Sequence, residues 1–277
     1  MKKIAFATFS GGPELTPSDA LVAKAFPVNV QCSAVPWDAA ANFRDFDAIV
    51  IRSTWNYHLK EAQFQSWLSN LQESAIPVFN SAETILWNMN KSYLLELNTR
   101  IVPSIIAMRH EYRKVKAFLQ SHNSEKAVVK PLVSASAHKT VLLNSISETA
   151  FAEAAGTVEV LVQPFFTEIT GGEWSLMFFN GIYSHAVLKR PKAGDFRVQN
   201  DFGGIAEVHA PPNEAMQAAT ALLATLSPLP LYARVDGLMK DDKFYLMELE
   251  LIEPELFVTR VPESAARFAT ALLDRIP

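Results

Sequence analysis

The chain interleaves short apolar runs with stretches in which apolar side chains recur every three or four residues, the pattern of strands alternating with amphipathic helices. Lys3 to Phe9 reads as a strand entering a turn at Ser10-Gly11-Gly12-Pro13, Pro17 to Phe26 as a helix, and Val28 to Val35 as a second strand. Phe46 to Arg52 is a third, apolar throughout between Asp47 and Arg52, as a strand covered on both faces is. Between Lys60 and Glu73, residues Phe64, Trp67, Leu68 and Leu71 share one helix face. Pro77 to Phe79 then closes a βαβ-like block, and Asn80 to Leu97 is helical and linker-like.

A second unit follows. Pro103 to Ala107 reads as a strand, Glu111 to Gln120 as a helix, and Ala127 to Pro131 as a strand ending in Lys130. Ser134 to His138 is a run of small residues with one imidazole, and Thr140 to Leu143 returns as a strand, so the run is a hairpin flap. Val158 to Phe166 is a buried strand whose Pro164 confines it to an edge or a strand end. Gly172 to Asn180 and Ile182 to Arg190 form a hairpin around Asn180-Gly181. Asn213 to Leu226 and Pro262 to Arg275 complete the helices, and no internal repeat is visible.

The stretch from Tyr232 to Pro254 departs from simple patterning. It reads as two strands joined by a polar turn at Lys240 to Lys243, with acids where a core strand would be apolar. Alternation puts Glu248 and Glu250 on one face and Arg234 and Asp236 together on the other arm. An odd loop length or a bulge sets Asp236 opposite Glu248 and Arg234 opposite Glu250, whereas a plain two-residue turn sends the acids to opposite faces. Like charges across a ladder repel. A solvated outer face is one account of them. A bound hard cation is the better one, because magnesium takes one or two carboxylates and completes its shell with water and phosphates.

Composition narrows the classes. The 277 residues carry a formal charge of −4 and are 49% hydrophobic, enough for a sizeable core in two or three subdomains. Mild acidity argues against nucleic-acid binding. No apolar run approaches membrane-spanning length and no signal peptide is visible, so a cytoplasmic protein without a membrane partner is expected. Cys32 is the only cysteine, which excludes an internal disulfide and fits a reducing compartment. The histidines lack zinc-site spacing.

Candidate chemistry clusters at strand ends. Arg52-Ser53-Thr54-Trp55-Asn56-Tyr57 follows an apolar strand of an open α/β block, where functional loops lie; Arg52 is expected to recognise a small anionic or zwitterionic substrate, with Trp55 and Tyr57 as walls. Lys91 sits in the linker. Lys130 and the flap, with Ser134 and Ser136, suit phosphate gripping. Lys189-Arg190-Pro191, Lys192 and Arg197 form a basic loop able to close over an anionic substrate. Neither a P-loop nor a Rossmann fingerprint is present, and no Ser or Cys triad signature either.

A helix lysine, a strand lysine before a flap, an apolar Gln-Pro-Phe-Phe strand and an Asp…Glu-x-Glu hairpin, in that order, resemble the ATP-grasp superfamily, in particular the branch of prokaryotic glutathione synthetase and the ribosomal-S6-modifying ligases. The resemblance spans about Asn88 to Phe257. Within it, R-S-T-W-N-Y, W-N-M-N-K and R-V-D…E-L-E-L-I-E-P are most similar to the O-ureido-serine cyclo-ligase (cycloserine-forming) group. It implies an N-terminal open α/β domain over residues 1–90, a central ATP-grasp subdomain over 91–165 and a C-terminal one with the metal site over 166–277. It further implies ATP and Mg2+ as cofactors, with Lys91 and Lys130 on the nucleotide phosphates, Gln163, Pro164, Phe165 and Phe166 around adenine, and Glu173 on the ribose. Asp236, Glu248 and Glu250 match the metal ligands; Arg190 matches a cation near the transferred phosphate or the substrate, and with Lys130 and Arg234 makes up the catalytic set. The flap lacks the family's glycines, and Glu250 stands where many relatives have asparagine. The implied activity is ATP-dependent activation of a small amino-acid-like carboxylate as an acyl phosphate, attacked by an amine or similar nucleophile. A kinase on the same scaffold and a nucleotide-binding regulator are the alternatives. The resemblance leaves the oligomeric state open, a homodimer among the options.

Overall fold

Three sheets organise the chain in the computed structural model, which describes residues 1–74, 76–135, 137–198 and 203–276. Strands β1 (Lys2–Thr8), β2 (Val30–Pro36), β3 (Ala48–Ile51) and β4 (Val78–Phe79) form a parallel sheet in the order β2-β1-β3-β4. Its pleat divides two cores. Ile4, Phe6 and Val50 pack with α1 (Pro17–Ala25) and the C-terminal helix α7 (Ser264–Leu273), while Ala5, Ile49 and Ile51 pack with α2 (Glu61–Glu73) and α3 (Ala82–Asn88). Thr16 starts α1 by accepting from the Asp19 amide, with Pro17 at the first helical position, where its missing N–H costs nothing.

The central sheet, β5 (Ile105–Ala107), β8 (Val160–Pro164), β6 (Ala127–Pro131) and β7 (Val141–Leu143), is antiparallel in that order. Its outer face carries α4 (Tyr112–Ser121) and α5 (Glu148–Ala155), with Val115, Phe151, Val129 and Val162 in one core. Pro164 ends β8, which lies between two neighbours, and so removes no ladder bond from the strand interior.

The third sheet is antiparallel in the order β11-β10-β9-β12-β13, from β9 (Glu173–Phe179), β10 (Ile182–Arg190), β11 (Ile205–Val208), β12 (Tyr232–Lys240) and β13 (Lys243–Glu250). One face packs against α6 (Asn213–Ala224), the other against α7. β12 and β13 meet in a two-residue turn, Asp241-Asp242, both in the left-handed region that twists with the strands (φ 49° and 55°). A bulge then restores the pairing that this turn alone would lose: Gly237 faces Leu246, but Asp236 faces Glu248 and Arg234 faces Glu250. Gly237 belongs there because a Cβ would lie 2.5 Å from the Tyr245 carbonyl.

β13 is an edge strand, and side chains cover it. Asn88 Nδ2 donates to the Leu249 carbonyl at 2.8 Å and its Oδ1 accepts from the Leu251 amide at 3.0 Å; the Tyr93 hydroxyl bonds both the carbonyl and the amide of Leu249 at 3.0 and 2.8 Å. The segment read as a continuous helical linker is therefore two pieces, α3 and a 3-10 turn at Lys91–Leu95, pinned along the acidic hairpin. Two elements lie where the sequence pattern predicts none: α5, started by Ser147 and stopped by Gly156 at φ 62°, and the short strand β11. Among the described residues no helix is long and apolar enough to cross a membrane.

Candidate active site

A cleft of about 420 Å³ opens between the central and C-terminal sheets, with the loop after β3 at its mouth. Alternation fills it. On β6, Ala127 and Val129 face the helices while Val128 and Lys130 face the cleft; on β12, Ala233 and Val235 enter the core while Arg234, Asp236 and Leu238 line the cavity.

Acids and cations interleave on the cleft floor. Asp236, 2% exposed, accepts from Ser175 Oγ at 2.6 Å, from Arg234 Nε and Nη2 at 3.0 and 2.8 Å, and from Lys189 Nζ at 3.1 Å. Burial works against its ionised form, but Arg234 and Lys189 hold it well below the usual carboxylate range. Lys189 also pairs with Glu173, and Arg234 with Glu250. Lys91, fixed because its amide donates to Leu132 O at 2.9 Å, spans Glu248 Oε1 at 3.0 Å and the Ser134 carbonyl at 2.9 Å. Lys130 makes no ion pair or hydrogen bond among the described residues; burial and the neighbouring Lys91 lower its pKa against the pull of Glu248 and Glu173. An under-compensated buried ammonium of this kind is suited to an arriving phosphate.

The acids facing the opening fit a hard cation unequally. Glu248 and Glu250 keep about 30% and 27% of their side chains exposed, and each places one oxygen on a protein cation. Burial, against the pull of Arg234 and with Asp236 and Glu248 adding to it, pushes Glu250 up to about 7. Burial and the neighbouring Glu250 push Glu253 up to about 8. A divalent ion would relieve that crowding. Among the described residues no three acids or histidines form a preformed cage, which suits magnesium, whose remaining ligands are water and phosphate. Glu248 and Glu250 therefore fit the ion, whereas Asp236 is committed to Arg234 and Lys189.

The other expected residues divide. Gln163, Pro164, Phe165 and Phe166 line the inner end of the cleft; the Gln163 amide is held by Ser104 Oγ at 2.9 Å and the Phe165 N–H by the Lys126 carbonyl at 3.1 Å. Ser134 lines the cleft, its hydroxyl directed to Pro131 O at 3.4 Å, and Ser136 lies outside the described residues. Glu173 is buried against Lys189. Trp55, Tyr57 and Arg197 line the mouth, the last beside Asp195 at 2.8 Å.

Besides the place of Asp236, two expectations are corrected. Arg52 is 3% exposed and turned into the protein: its Nε meets Asp19 at 2.7 Å, its Nη2 the Pro254 carbonyl at 3.1 Å, and its guanidinium lies over Tyr232. A cation at the end of a fully buried strand has its counter-ion inside, so it holds α1 to the C-terminal segment. Arg190 points outward to Glu207 at 2.7 Å. Strand alternation gives the inward place to its neighbour Lys189, which the ladder sets opposite Glu173. Counting out from the Asn180-Gly181 turn sets Lys189 opposite Gly172, one place from Glu173, so the bulge between Tyr183 and His185 has to be known to fix that pairing. Ser175, Asn88 and Tyr93 carry no sequence signal of their roles, because each acts through a partner distant in the chain.

The family described as prokaryotic glutathione synthetase, ATP-grasp domain, matches residues 90–232, and that described as D-cycloserine synthetase DcsG, N-terminal domain, matches residues 4–80. The cycloserine biosynthesis protein DcsG of Streptomyces lavendulae is 27% identical over 278 residues, covering 90% of each chain. Among solved structures, D-cycloserine synthetase DcsG superposes with a TM-score of 0.87 at 24% identity over 99% of this chain and 100% of that one. A D-alanine–D-alanine ligase from Bacillus anthracis gives 0.70 at 17% identity over 100% and 96%. At these identities the two superpositions speak for the fold. The profile match over more than half the length decides the family: the chain belongs to the ATP-grasp family of the prokaryotic glutathione synthetase type and is an ATP-dependent ligase.

Proposed function

We propose that the protein uses Mg2+–ATP to phosphorylate the carboxylate of a small amino-acid-like substrate and joins the acyl phosphate to an amine or similar nucleophile. Residues 1–90 serve as the N-terminal α/β domain, 91–165 as the central ATP-grasp subdomain and 166–277 as the C-terminal ATP-grasp subdomain with the metal site. The observation that carries this reading is that Lys91 and Lys130 enter the same cleft as Glu248 and Glu250. A carboxylate is a poor acyl donor because its leaving group is oxide, and phosphorylation removes that obstacle. Gln163 to Phe166 would enclose the adenine, Lys91 and Lys130 hold phosphate oxygens, and Glu248 and Glu250 hold magnesium. When bound, the ion would supply positive charge to offset that of the phosphates during transfer. Arg234 and Lys189, already fixed on Asp236, place positive charge where the transferred phosphoryl group develops negative charge. The flap and the loop after β3 exclude water, which would otherwise hydrolyse the acyl phosphate. No protein nucleophile is needed.

The likeness to proteins named for D-cycloserine synthesis makes intramolecular closure of O-ureido-serine the first reaction to test. Phosphate release is followed with Mg2+–ATP alone, with O-ureido-D-serine, and with amino-acid mixtures. Release that requires an amino-acid substrate and yields a ring or amide product supports the proposal. A stable phosphorylated product means a kinase, and no turnover with nucleotide bound means a regulator.

A further inference from the structure

The geometry points to a subsite for the protonated amino group of the substrate, formed by Glu253 of the C-terminal segment and Tyr57 of the N-terminal loop. The inference rests on the amino-acid-ligase reading and adds the direction in which the substrate lies.

Nearly every acid of the cleft already has its partner. Glu173 and Asp236 have Lys189, Glu248 has Lys91, and Glu250 has Arg234. Glu255 is held by Ser18 Oγ at 2.6 Å and the Phe257 amide at 2.7 Å. The carboxylate of Glu253 lines the same cavity and has neither ion pair nor hydrogen bond from another side chain among the described residues. Its position is nevertheless built, since Trp55 Nε1 donates to its backbone carbonyl at 3.3 Å.

Tyr57 supplies a second, independent observation. It is 4% exposed, its ring lies 5.2 Å from Phe64, and its amide donates to Thr54 O at 2.9 Å, so the side chain is fixed by the N-terminal core. Its hydroxyl has no hydrogen-bond partner among the described residues, and it shares the cavity lining with Glu253, Glu248 and Glu250, whose charges act on it. A carboxylate bonded by no other side chain and a hydroxyl without a partner, beside the indole of Trp55, match an organic ammonium, which gains from oxygen acceptors and from aromatic faces.

The inward turn of Arg52 sharpens the argument. With that guanidinium occupied by Asp19, the loop after β3 offers no cation from Arg52 to a substrate carboxylate. The ammonium end lies against the loop, and the carboxylate to be activated points toward Lys130 and Arg234.

Calorimetry on the intact protein with Mg2+–ADP present tests this with two probes: D-cycloserine, which carries a primary amine, and isoxazolidin-3-one, the same ring without it. Wild-type protein is expected to prefer D-cycloserine by about tenfold or more, a charged hydrogen bond's share of affinity. Glu253→Gln should lose that preference while Mg2+–ADP affinity stays within about twofold, and Tyr57→Phe should lose part of it. Equal binding of both rings by the wild type overturns the subsite alone. So does a Glu253→Gln variant that keeps the preference, or one whose defect lies in Mg2+–ADP binding, which would make Glu253 a metal ligand. Wild-type protein that binds Mg2+–ADP but neither ring overturns the amino-acid reading and the subsite with it.

Discussion

Asp236 and Glu248 face each other across the β12–β13 ladder, yet different cations neutralise them: Asp236 has Arg234 and Lys189, while Glu248 has Lys91 at 3.0 Å, brought from a separate segment. Two carboxylates in register thus do unlike work. One anchors a buried cationic platform, and the other faces the opening.

That difference predicts unlike variants. Asp236→Asn leaves Arg234 and Lys189 short of a counter-ion in the interior and should cost about 3–5 kcal/mol of stability as well as turnover. Glu248→Gln, partly exposed and leaving buried Lys91 the Ser134 carbonyl as an acceptor, should cost less, about 1–2 kcal/mol, while abolishing turnover. Denaturant midpoints alongside phosphate release measure both; equal stability losses would contradict the division.

Lys189 and Arg190 are neighbours on one strand with opposite outlooks. Lys189→Met should reduce kcat by about a hundredfold or more, having removed charge from the transfer site. Arg190→Ala, which loses only an exposed pair with Glu207, should stay within about twofold. The reverse ranking in steady-state kinetics would restore Arg190 to the site.

The bulge at Gly237 is what keeps the acids in register. Gly237→Ala drives a methyl against the Tyr245 carbonyl and should destabilise by about 1–3 kcal/mol. Because relief requires a shift of β13, ADP affinity in magnesium should fall as well. A variant that melts early but binds normally would show that the register survives without the glycine.

The pH dependence has a definite sign. Burial pushes Glu250 and Glu253 up from 4.5 to about 7 and about 8 in the folded chain. Between these values the folded chain binds more protons, so stability falls as pH rises through them. His58 and His185, held below their ordinary 6.5, oppose this only up to that value. Without metal or nucleotide, the melting temperature should therefore decline between pH 7 and 8, and Glu253→Gln should flatten the slope. A slope equally steep in the variant would contradict the assignment.

The sequence shows where strands and helices fall more readily than it shows which side chain looks inward. β6, β12 and β13 have their predicted residues because their alternation is strong and the turns are marked. Lys189 faces the cleft and Arg190 faces out, a difference the sequence does not mark because adjacent cations on one strand are chemically alike until the ladder is known. Arg52 was misplaced because its counter-ion, Asp19, belongs to a different element. Lys91 met Glu248 only through the hydrogen bonds of Asn88 and Tyr93 to β13, long-range contacts with no local pattern.

The most direct measurement is a calorimetric titration of ADP into wild-type protein and Glu248→Gln, once with magnesium and once with a chelator. The account predicts that magnesium tightens ADP binding to the wild type by about tenfold or more, and that the variant loses this gain. ADP affinity indifferent to magnesium, or a gain undiminished in Glu248→Gln, would contradict it.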